Sequence, residues 1–278
     1  MDKIASALFT FADLYSTEYE RSFTHNYMHK WVGDNYHIFW GSVIIYLIFC
    51  YVGKRYMENR PRYDLRYPLA LWNAFLSAFS FIGMLRTVPF LIGRLLTETY
   101  EESVCREPCE AYGDGTVGFW TLLFILSKIP ELFDTVFIIL RKRPLIVLHW
   151  YHHASVLLYC WHAYSTKAAS GLYFIAMNYS VHAFMYAYFC LQALHLVPKA
   201  FPAYLITVAQ IAQMIVGTFV CASGWYYLIN GRPCENDLNN LRFGAVMYAS
   251  YLLFFLEFAF KRFLFPSKEE KSNKKKES

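Results

Sequence analysis

Charged residues are scarce in this sequence. They make up 17% of its 278 residues, whereas 56% are apolar and 20% are aromatic. Because an ordinary soluble domain contains about 25% charged residues, this composition argues against a soluble enzyme and indicates a membrane protein. The net charge of +5 is concentrated in a few segments, so it gives no reason to expect binding to nucleic acid.

Several motifs are absent as well. The sequence has no glycine-rich phosphate loop and no dinucleotide fingerprint, which argues against an enzyme that binds a nucleotide cofactor through either. Residues 1–36 lack the short apolar core and small-residue cleavage site of a signal peptide. No internal repeat of about 20 to 50 residues is visible, which argues against a solenoid.

Long apolar runs dominate what is present. A run of roughly 20 apolar residues can cross a bilayer as a helix. We therefore expect an all-α integral membrane protein with seven transmembrane helices, although the first run is short and the third contains charged residues. The seven candidates are residues 37–52, 68–92, 117–140, 145–164, 171–194, 202–229 and 243–265.

The loops between these runs differ in charge. Residues 53–67 contain five Lys and Arg, residues 141–143 read Arg-Lys-Arg, and loop 93–116 has two Arg against six acidic residues. Since basic loops face the cytosol, we expect the N-terminus in the lumen and the C-terminus in the cytosol. The chain then divides into a lumenal segment, residues 1–36, a seven-span domain, residues 37–265, and a basic tail, residues 266–278.

Three of the seven cysteines fall in loops assigned to the lumen, where disulfides persist. They are Cys105, Cys109 and Cys234. We expect one disulfide between the two loops and favour Cys105–Cys234, with Cys109–Cys234 as the alternative. The other four cysteines lie in or near the spans, and we expect them to behave as small apolar residues.

Ionisable side chains inside the apolar runs are the strongest indication of function. His149, His152 and His153 share one face of a helix. Because ionisable side chains are costly at membrane depth, three of them on one face indicate a functional site. Lys128, Glu131 and Asp134 recur at three-residue intervals in the third run, next to Pro130, which we expect to loosen the helix. The fifth and sixth runs add two polar stripes: Asn178, His182 and Tyr186, and Thr207, Gln210 and Gln213.

In order along the chain, these motifs read Lys128-x-x-Glu131-x-x-Asp134-Thr135, His149-x-x-His152-His153, Asn178-x-x-x-His182-x-x-Met185-Tyr186 and Thr207-x-x-Gln210-x-x-Gln213. They resemble the ELO family of very-long-chain fatty acid elongases, and the resemblance covers residues 55 to 265. The form HWYHH, without a glutamine five residues before it, is similar to the branch that acts on saturated and monounsaturated chains of about sixteen carbons.

The resemblance implies a 3-ketoacyl-CoA synthase in which spans two to seven form a ring around a narrow acyl tunnel. Long-chain acyl-CoA and malonyl-CoA would condense to a 3-oxoacyl-CoA, with loss of carbon dioxide and CoA. Because decarboxylation itself supplies the carbanion, no cofactor and no metal are expected. We also expect a 3-ketoacyl-CoA reductase and a 3-hydroxyacyl-CoA dehydratase to act alongside the enzyme.

The resemblance also implies a histidine-borne acyl-enzyme. We expect His152 to carry the acyl group and His182 to stabilise the tetrahedral and enolate charge. His149 and His153 would support them, and Asn178 and Lys128 are expected donors to an oxyanion. Glu131 and Asp134 complete the predicted catalytic set.

Cationic residues at the cytosolic span ends suit the phosphates of CoA, although they could serve only to fix topology. The predicted set is Arg141, Lys142, Arg143, Lys199, Lys261 and Arg262. Tyr186, Gln210 and Gln213 are expected to contact substrate within the bundle. In the basic tail, Lys275 and Lys276 match a dilysine retrieval signal, so we expect residence in the endoplasmic reticulum membrane.

Two other classes use related features. A membrane di-iron desaturase or hydroxylase also clusters histidines, but it needs about eight ligating histidines by family analogy, and only four of the nine present here lie in a plausible core. A seven-span receptor or transporter would explain the topology. It would give no reason for four histidines and three charged residues on adjoining spans.

Overall fold

The computed structural model describes residues 2–198 and 201–264, in which every regular element is helical. The α-helices are α1 (Asp2–Asp13), α2 (Glu18–Arg21), α3 (His25–Asp34), α4 (Tyr36–Met57), α5 (Arg66–Thr97), α6 (Tyr100–Cys105), α7 (Pro108–Ala111), α8 (Gly115–Ser127), α9 (Phe133–Leu140), α10 (Val147–Ser165), α11 (Gly171–Ala193), α12 (Tyr204–Ile229) and α13 (Leu238–Ala259). A 3₁₀ turn, Pro130–Leu132, and a π-helical turn, Phe260–Leu264, complete the elements. Lys199, Lys275 and Lys276 lie outside the described residues.

Four of these helices are long and apolar enough to cross a membrane: Tyr36–Met57, Arg66–Thr97, Tyr204–Ile229 and Leu238–Phe263. They correspond to the first, second, sixth and seventh predicted spans. The prediction of an all-α protein with membrane-spanning character is therefore confirmed. The fourth and fifth predicted spans correspond to α10 and α11, whose polar residues belong to the site described below.

The third predicted span is not a continuous helix. α8 ends at Ser127, a 3₁₀ turn covers Pro130–Leu132, and α9 begins only at Phe133. Proline has no N–H to donate and its ring clashes with the preceding turn, so Pro130 accounts for the break. The expectation of a single helix over residues 117–140 was wrong, and the interruption lies at the charged residues of the site.

Six helical segments contact one another in a closed cycle. In order around the cycle they are α5, α11, α12, α13, α10 and α8, and α8 in turn contacts α5. Helix α4 packs against α10 and α9 from outside this cycle. The order of contact differs from the order along the chain, so residues from distant motifs face a common interior.

The loops gather at two opposite ends of the bundle. At one end, the backbone N–H of Tyr63 donates to Leu140 and the Lys142 ammonium donates to the Glu58 carbonyl. Arg66 donates hydrogen bonds there to the carbonyls of Ala193 and Leu194. These carbonyls at the C-terminus of α11 have no partner within the helix. This end includes the basic loops 53–67 and 141–143.

The opposite end is closed by a disulfide and by the N-terminal helices. Cys105 and Cys234 form the disulfide, which is the pair favoured from the sequence, and Cys109 is a free thiol. The Arg86 guanidinium, on α5, donates to the backbone carbonyls of Ala12 and Leu14. The described part of the N-terminal segment, which the sequence assigned to the lumen without a role, contacts α5, α8 and α10 through α1 to α3.

Candidate active site

The three histidines of α10 lie side by side within the first two turns of that helix. The ring centroids of His149 and His153 are 4.4 Å apart, and those of His152 and His153 are 5.6 Å apart. His153 is buried and the other two are half-buried. Each of the three has different surroundings.

A buried ion pair forms at the break between α8 and α9. The Lys128 ammonium lies 2.7 Å and 3.0 Å from the two carboxylate oxygens of Glu131, and the Ser127 hydroxyl donates to the same carboxylate at 2.9 Å. Lys128 also donates to Oδ1 of Asn178 at 3.1 Å. Since Lys128 and Glu131 are 2% and 4% exposed, each charge depends on the other: removing one partner of such a pair costs about 3–5 kcal/mol.

The polar network continues from this pair onto α11. Nδ2 of Asn178 lies 3.1 Å from Nε2 of His182, and Nδ1 of His182 lies 3.9 Å from the Glu131 carboxylate. Because Lys128 already has three acceptors, its ammonium acts on Asn178 and is not itself free to meet a substrate oxygen. The Asn178 amide is therefore oriented with its oxygen toward Lys128 and its N–H groups on the histidine side.

Asp134 is the second acid of the site, and it is half-buried. The indole N–H of Trp72 donates to one carboxylate oxygen at 2.7 Å, and the Tyr186 hydroxyl donates to the other at 2.8 Å. Nε2 of His153 lies 3.9 Å from the same oxygen as Tyr186. Asp134 thus joins α5, α10 and α11 around one carboxylate.

Thr135, the next residue, connects the outer helix to the histidines. Its hydroxyl lies 2.9 Å from the Tyr46 hydroxyl and 2.9 Å from Nε2 of His149. Thr135 is fully buried, so its one hydrogen and its lone pairs are committed to these two partners. His149 is consequently held by a hydrogen bond, as a supporting residue would be.

His152 differs from its neighbours because its Nδ1 atom is buried without a hydrogen-bond partner. The Tyr251 ring lies 4.8 Å from the imidazole, centroid to centroid, and its hydroxyl bonds to the His152 carbonyl and to Ser155. The backbone of His152 is therefore fixed while its ring nitrogen is uncommitted. An unpartnered buried polar atom is the exception in folded proteins and calls for an explanation.

His152 also lines a pocket between α8, α10, α11, α12 and α13, called here the proximal pocket. Asn178 of α11 and Gln213 of α12 supply polar side chains to it, and the remaining lining is mainly aromatic and aliphatic. Gln210, one turn earlier, instead contacts the Met185 sulfur at 3.4 Å. The uncommitted ring nitrogen of His152 and the amides of Asn178 and Gln213 therefore lie at the wall of a mainly apolar pocket.

The predicted CoA-binding cations within the described residues lie at the end of the bundle nearer the histidines. The Lys142 ammonium donates to the carbonyls of Glu58 and Arg60 and so stabilises the loop. Lys261 pairs with Glu257 on its own helix. Arg141 is half-buried, and Arg143 and Arg262 are exposed.

Four partners of the site were missed from the sequence. Trp72, Tyr46, Ser155 and Tyr251 all contact motif residues. Each is one aromatic or hydroxyl residue among many in an apolar run, and no spacing in the sequence distinguishes it. Thr135 stood within a motif, but its two contacts could not be inferred.

The described ranges, 2–198 and 201–264, contain no group of three or more His, Cys, Asp and Glu side chains placed to hold a metal ion. Two of the four site histidines have hydrogen-bond partners: Thr135 for His149 and Asn178 for His182. Each of these contacts uses a ring nitrogen.

Known proteins resemble this chain over most of its length. The family described as "ELO: GNS1/SUR4 family" matches residues 31–273. The chain is 42% identical to very long chain fatty acid elongase 6 of Drosophila melanogaster, over 91% of this chain and 80% of the relative. It is 38% identical to the Homo sapiens protein of that name, over 89% and 92%, and 37% identical to fatty acid elongase 3 of Trypanosoma brucei brucei, over 89% and 91%. These matches confirm the resemblance seen in the motifs, and the chain belongs to the ELO family.

Proposed function

We propose that this protein is the condensing enzyme of fatty acid elongation. It joins a long-chain acyl-CoA to malonyl-CoA and releases a 3-oxoacyl-CoA two carbons longer, carbon dioxide and CoA. The family membership supports the reaction class. The observation that supports the mechanism is the uncommitted Nδ1 of His152 at the wall of an apolar pocket.

In the first half-reaction, a nitrogen of the neutral His152 imidazole attacks the thioester carbonyl. A carbon–nitrogen bond forms and the carbon–sulfur bond breaks. The departing CoA thiolate takes the proton that the imidazolium loses. The Asn178 N–H groups, held by the contact of its oxygen with Lys128, are the donors best situated to stabilise the tetrahedral oxyanion.

In the second half-reaction, malonyl-CoA loses its carboxylate as carbon dioxide. The electron pair of the broken carbon–carbon bond becomes the enolate, whose carbon attacks the acyl carbonyl on His152. The carbon–nitrogen bond then breaks and the imidazole recovers a proton, the one proton consumed overall coming from solvent. His182, fixed by Asn178, stabilises the enolate, and the chemistry requires no metal or organic cofactor.

The acyl chain occupies the interior of the helical cycle. We propose that α8 with α9, α10 and α11 cross the membrane together with the four apolar helices, which gives seven crossings and a narrow tunnel within six of them. The closed cycle of contacts and the gathering of the loops at two ends support this topology. The basic end then faces the cytosol, where the CoA head enters, and the disulfide end faces the lumen.

Residence in the endoplasmic reticulum follows from the same proposal, because malonyl-CoA is supplied on the cytosolic side and the disulfide lies on the opposite side. A 3-ketoacyl-CoA reductase and a 3-hydroxyacyl-CoA dehydratase would consume the product in turn. Their substrates are the 3-oxo and 3-hydroxy thioesters that this condensation initiates.

The test is incorporation of radiolabelled malonyl-CoA by the purified protein in the presence of a sixteen-carbon acyl-CoA. Incorporation into a 3-oxoacyl product is expected, and its complete absence would contradict the proposal. In a second measurement without malonyl-CoA, mass spectrometry should find an acyl adduct on the peptide containing His152. His152→Ala should abolish that adduct, whereas His162→Ala, at the far end of the same helix, should retain it.

A further inference from the structure

A second pocket lies beyond the proximal pocket, toward the disulfide end of the bundle, and is called here the distal pocket. Helices α3, α8, α10 and α11 contribute its walls, with the loop around Cys109. Its described lining includes none of the catalytic residues named above. The two pockets meet at a shared wall, because four residues line both: Phe124, Tyr159, Cys160 and Phe174.

The distal pocket lies on the path of an acyl chain that is attached at His152. Along α10, His152 is followed by Cys160 after about 12 Å and by Tyr164 after about 18 Å of helix, at 1.5 Å per residue. An extended chain of sixteen carbons is about as long as the second distance. Attached at His152 and directed along α10, such a chain passes the shared wall and ends near Tyr164.

Several polar side chains that line the distal pocket already have partners within the protein. Nδ1 of His25 lies 2.7 Å from the Asp114 carboxylate, and the Lys167 ammonium lies 2.9 Å from the Glu107 carboxylate. The Tyr112 hydroxyl donates to a backbone carbonyl at 3.1 Å. These groups need no ligand to satisfy them.

Four other polar side chains of the described lining have an atom that is buried without a hydrogen-bond partner. One is the Tyr159 hydroxyl, which is directed toward α13, since a Cβ atom added at Gly244 would lie 2.8 Å from its oxygen. The other three are Nε2 of His29 on α3, the Thr121 hydroxyl on α8 and the Tyr164 hydroxyl on α10. Buried polar groups are normally paired, so three unpaired ones in one pocket point to a polar group that the pocket binds.

The three unpaired groups suit an alcohol. Burial lowers the pKa of His29 below its ordinary value of 6.5, and a neutral imidazole has one nitrogen that donates and one that accepts. The His29 and Tyr164 rings are neighbours, with centroids 5.9 Å apart. The hydroxyls of Tyr164 and Thr121 can each donate and accept, as an alcohol can. A methyl group can pair with none of the three.

We propose that the distal pocket binds a hydroxyl group at the end of an acyl chain, so that the enzyme also elongates ω-hydroxyacyl-CoA. The terminal hydroxyl pairs with the unpartnered atoms of His29, Thr121 and Tyr164. It takes no part in the bond changes of the condensation, which stay as described above. This inference rests on the proposed function, because the chain end reaches the distal pocket only when the acyl group is at His152.

The position of the hydroxyl decides whether it is accepted. A hydroxyl loses its water when it enters the bundle, and this loss is costly unless a protein group replaces the water. At the shared wall the phenyl rings of Phe124 and Phe174 offer no such group, and the Tyr159 hydroxyl is directed toward α13. A hydroxyl at the chain end finds partners, whereas one at the shared wall does not.

Three acyl-CoA substrates of equal length test this difference. All have sixteen carbons: one is unsubstituted, one has a hydroxyl on carbon sixteen, and one has it on carbon ten. The measurement is kcat/KM for malonyl-CoA incorporation with each. We expect the wild type to use the chain-end hydroxyl within roughly threefold of the unsubstituted chain, and the carbon-ten hydroxyl roughly tenfold less efficiently or worse, because only the first is paired.

Substitutions in the pocket should then remove the acceptance of the chain-end hydroxyl. Tyr164→Phe, Thr121→Val and His29→Phe each delete one hydrogen-bonding group and keep a side chain of similar shape. Each should lower kcat/KM for the chain-end hydroxyl, relative to the unsubstituted chain, by roughly fivefold. Because this ratio compares two substrates on one protein, a general loss of folded enzyme does not change it. If one variant does not fold, the other two test the proposal.

Thr116→Val is the matched control. Thr116 lies on the same helix as Thr121, and its hydroxyl is also buried without a partner, but it is not among the residues that line either pocket. Its ratio of chain-end hydroxyl to unsubstituted chain should equal that of the wild type.

A wild type that uses the chain-end hydroxyl as poorly as the carbon-ten hydroxyl would overturn this inference. An unchanged ratio in every folded pocket variant would overturn it too, as would an equal fall in Thr116→Val. In each of these cases the unsubstituted chain still incorporates malonyl-CoA, so the proposed function stands. No incorporation by the wild type with any of the three substrates would instead overturn the proposed function, and the inference with it.

Discussion

The Tyr46 hydroxyl lies 2.9 Å from the Thr135 hydroxyl, although α4 packs outside the cycle of helices that encloses the site. Thr135 lies a further 2.9 Å from Nε2 of His149. A hydroxyl has one proton to donate, so if Tyr46 donates to Thr135, then Thr135 donates to His149. In either direction of donation, Tyr46, Thr135 and His149 form one chain of hydrogen bonds, called here the hydroxyl relay. We infer that Tyr46 and Thr135 are positioning residues for the His149 ring.

Loss of this relay should slow the reaction without weakening substrate binding. Thr135→Val is expected to lower kcat by roughly tenfold or more, because it leaves both neighbours unpaired at about 1–3 kcal/mol. Tyr46→Phe should lower kcat less, since Thr135 keeps its contact with His149. The measurement is steady-state incorporation of malonyl-CoA, and KM for acyl-CoA should change little in either variant.

Ser42→Ala is the control for this relay. Ser42 is on the same outer helix, and its hydroxyl bonds only to the backbone carbonyl of Ile38. Its kcat should equal that of the wild type. A fall in Ser42→Ala as large as that in Tyr46→Phe would show that α4 acts by general stability and would contradict the relay.

The buried pair of Lys128 and Glu131 leads to a prediction about stability. Lys128→Met leaves the Glu131 carboxylate buried without its cation, and Glu131→Gln leaves Lys128 in the same condition. Each single variant should lose about 3–5 kcal/mol of stability, seen as a lower melting temperature in detergent. The double variant, in which neither charge remains, should be more stable than either single variant.

That non-additive result distinguishes a buried pair from two independent residues. If the losses of the single variants simply add in the double variant, the two side chains do not depend on each other. Malonyl-CoA incorporation should be lost in all three variants, because each change also disturbs the orientation of Asn178.

The sequence showed that Lys128 and Glu131 lie three residues apart in an apolar run, and this spacing brings their side chains together. Residues three apart on a helical segment are neighbours, and two opposite charges in an apolar run have few other partners. The same reasoning grouped the three histidines of α10, whose rings are in contact. Local spacing could therefore predict the contacts within one segment, and the order of the motifs could identify the family.

Contacts between segments were beyond such reasoning. Trp72 reaches Asp134 only because α5 and α9 have a particular relative orientation, and Tyr251 reaches His152 only because α13 is next to α10 in the cycle. The break at Pro130 was also underestimated: a loosened helix was expected, and the helix is interrupted. The packing of the N-terminal segment on α5, α8 and α10 is likewise a contact between segments, so the sequence could not predict it.

Close packing of α5 against α11 depends on a glycine. A Cβ atom added at Gly83 of α5 would lie 2.5 Å from the ring of Tyr179 on α11, which is 2% exposed. A buried ring in contact with two helices cannot move freely, so Gly83→Ala should destabilise the protein by about 1–3 kcal/mol. A thermal melt in detergent measures this loss.

Gly41→Ala is the corresponding control, because a Cβ atom at Gly41 on α4 would meet nothing within 4 Å. Relative to glycine, alanine favours the helix by about 0.5–1 kcal/mol, so this variant should melt at the wild-type temperature or above it. Equal losses in both variants would indicate that helix packing at Gly83 is not the cause.

Arg141 provides a test of the CoA site. It is half-buried next to the basic loops, and a guanidinium can bind a phosphate through two parallel hydrogen bonds. Arg141→Ala should raise the KM for acyl-CoA by roughly three- to tenfold, with a smaller effect on kcat. Lys54→Ala removes an exposed cation of the same end from the outer helix and should leave KM unchanged.

An unchanged KM in Arg141→Ala would favour the alternative that these cations serve only to fix the orientation of the chain in the membrane. An equal rise in the KM for acyl-CoA in Lys54→Ala would indicate that the surface attracts polyanions in general. High salt would then abolish the effect of both variants, because it screens exposed charges.

Glu20 connects the N-terminal segment to α5 and α8. Its carboxylate accepts hydrogen bonds from the Thr17 backbone and from the Trp120 indole, both at 2.6 Å, and lies 3.7 Å from Arg86. Burial acts to raise the pKa of Glu20, but these hydrogen bonds and the Arg86 charge outweigh it and hold the pKa below its ordinary value of 4.5. A lowered pKa in the folded state means that the ionised form stabilises the fold.

This stabilisation is fully present above the unfolded pKa and is lost as the pH falls through the lower, folded pKa. Glu20→Gln removes it at every pH, so the difference in melting temperature from the wild type should be largest near neutral pH and shrink in acid. We expect about 1–3 kcal/mol at neutral pH. Glu18→Gln, an exposed change on the same helix, should have the melting temperature of the wild type. A difference in melting temperature between Glu20→Gln and the wild type that stays constant with pH would show that the charge of Glu20 does not stabilise the segment.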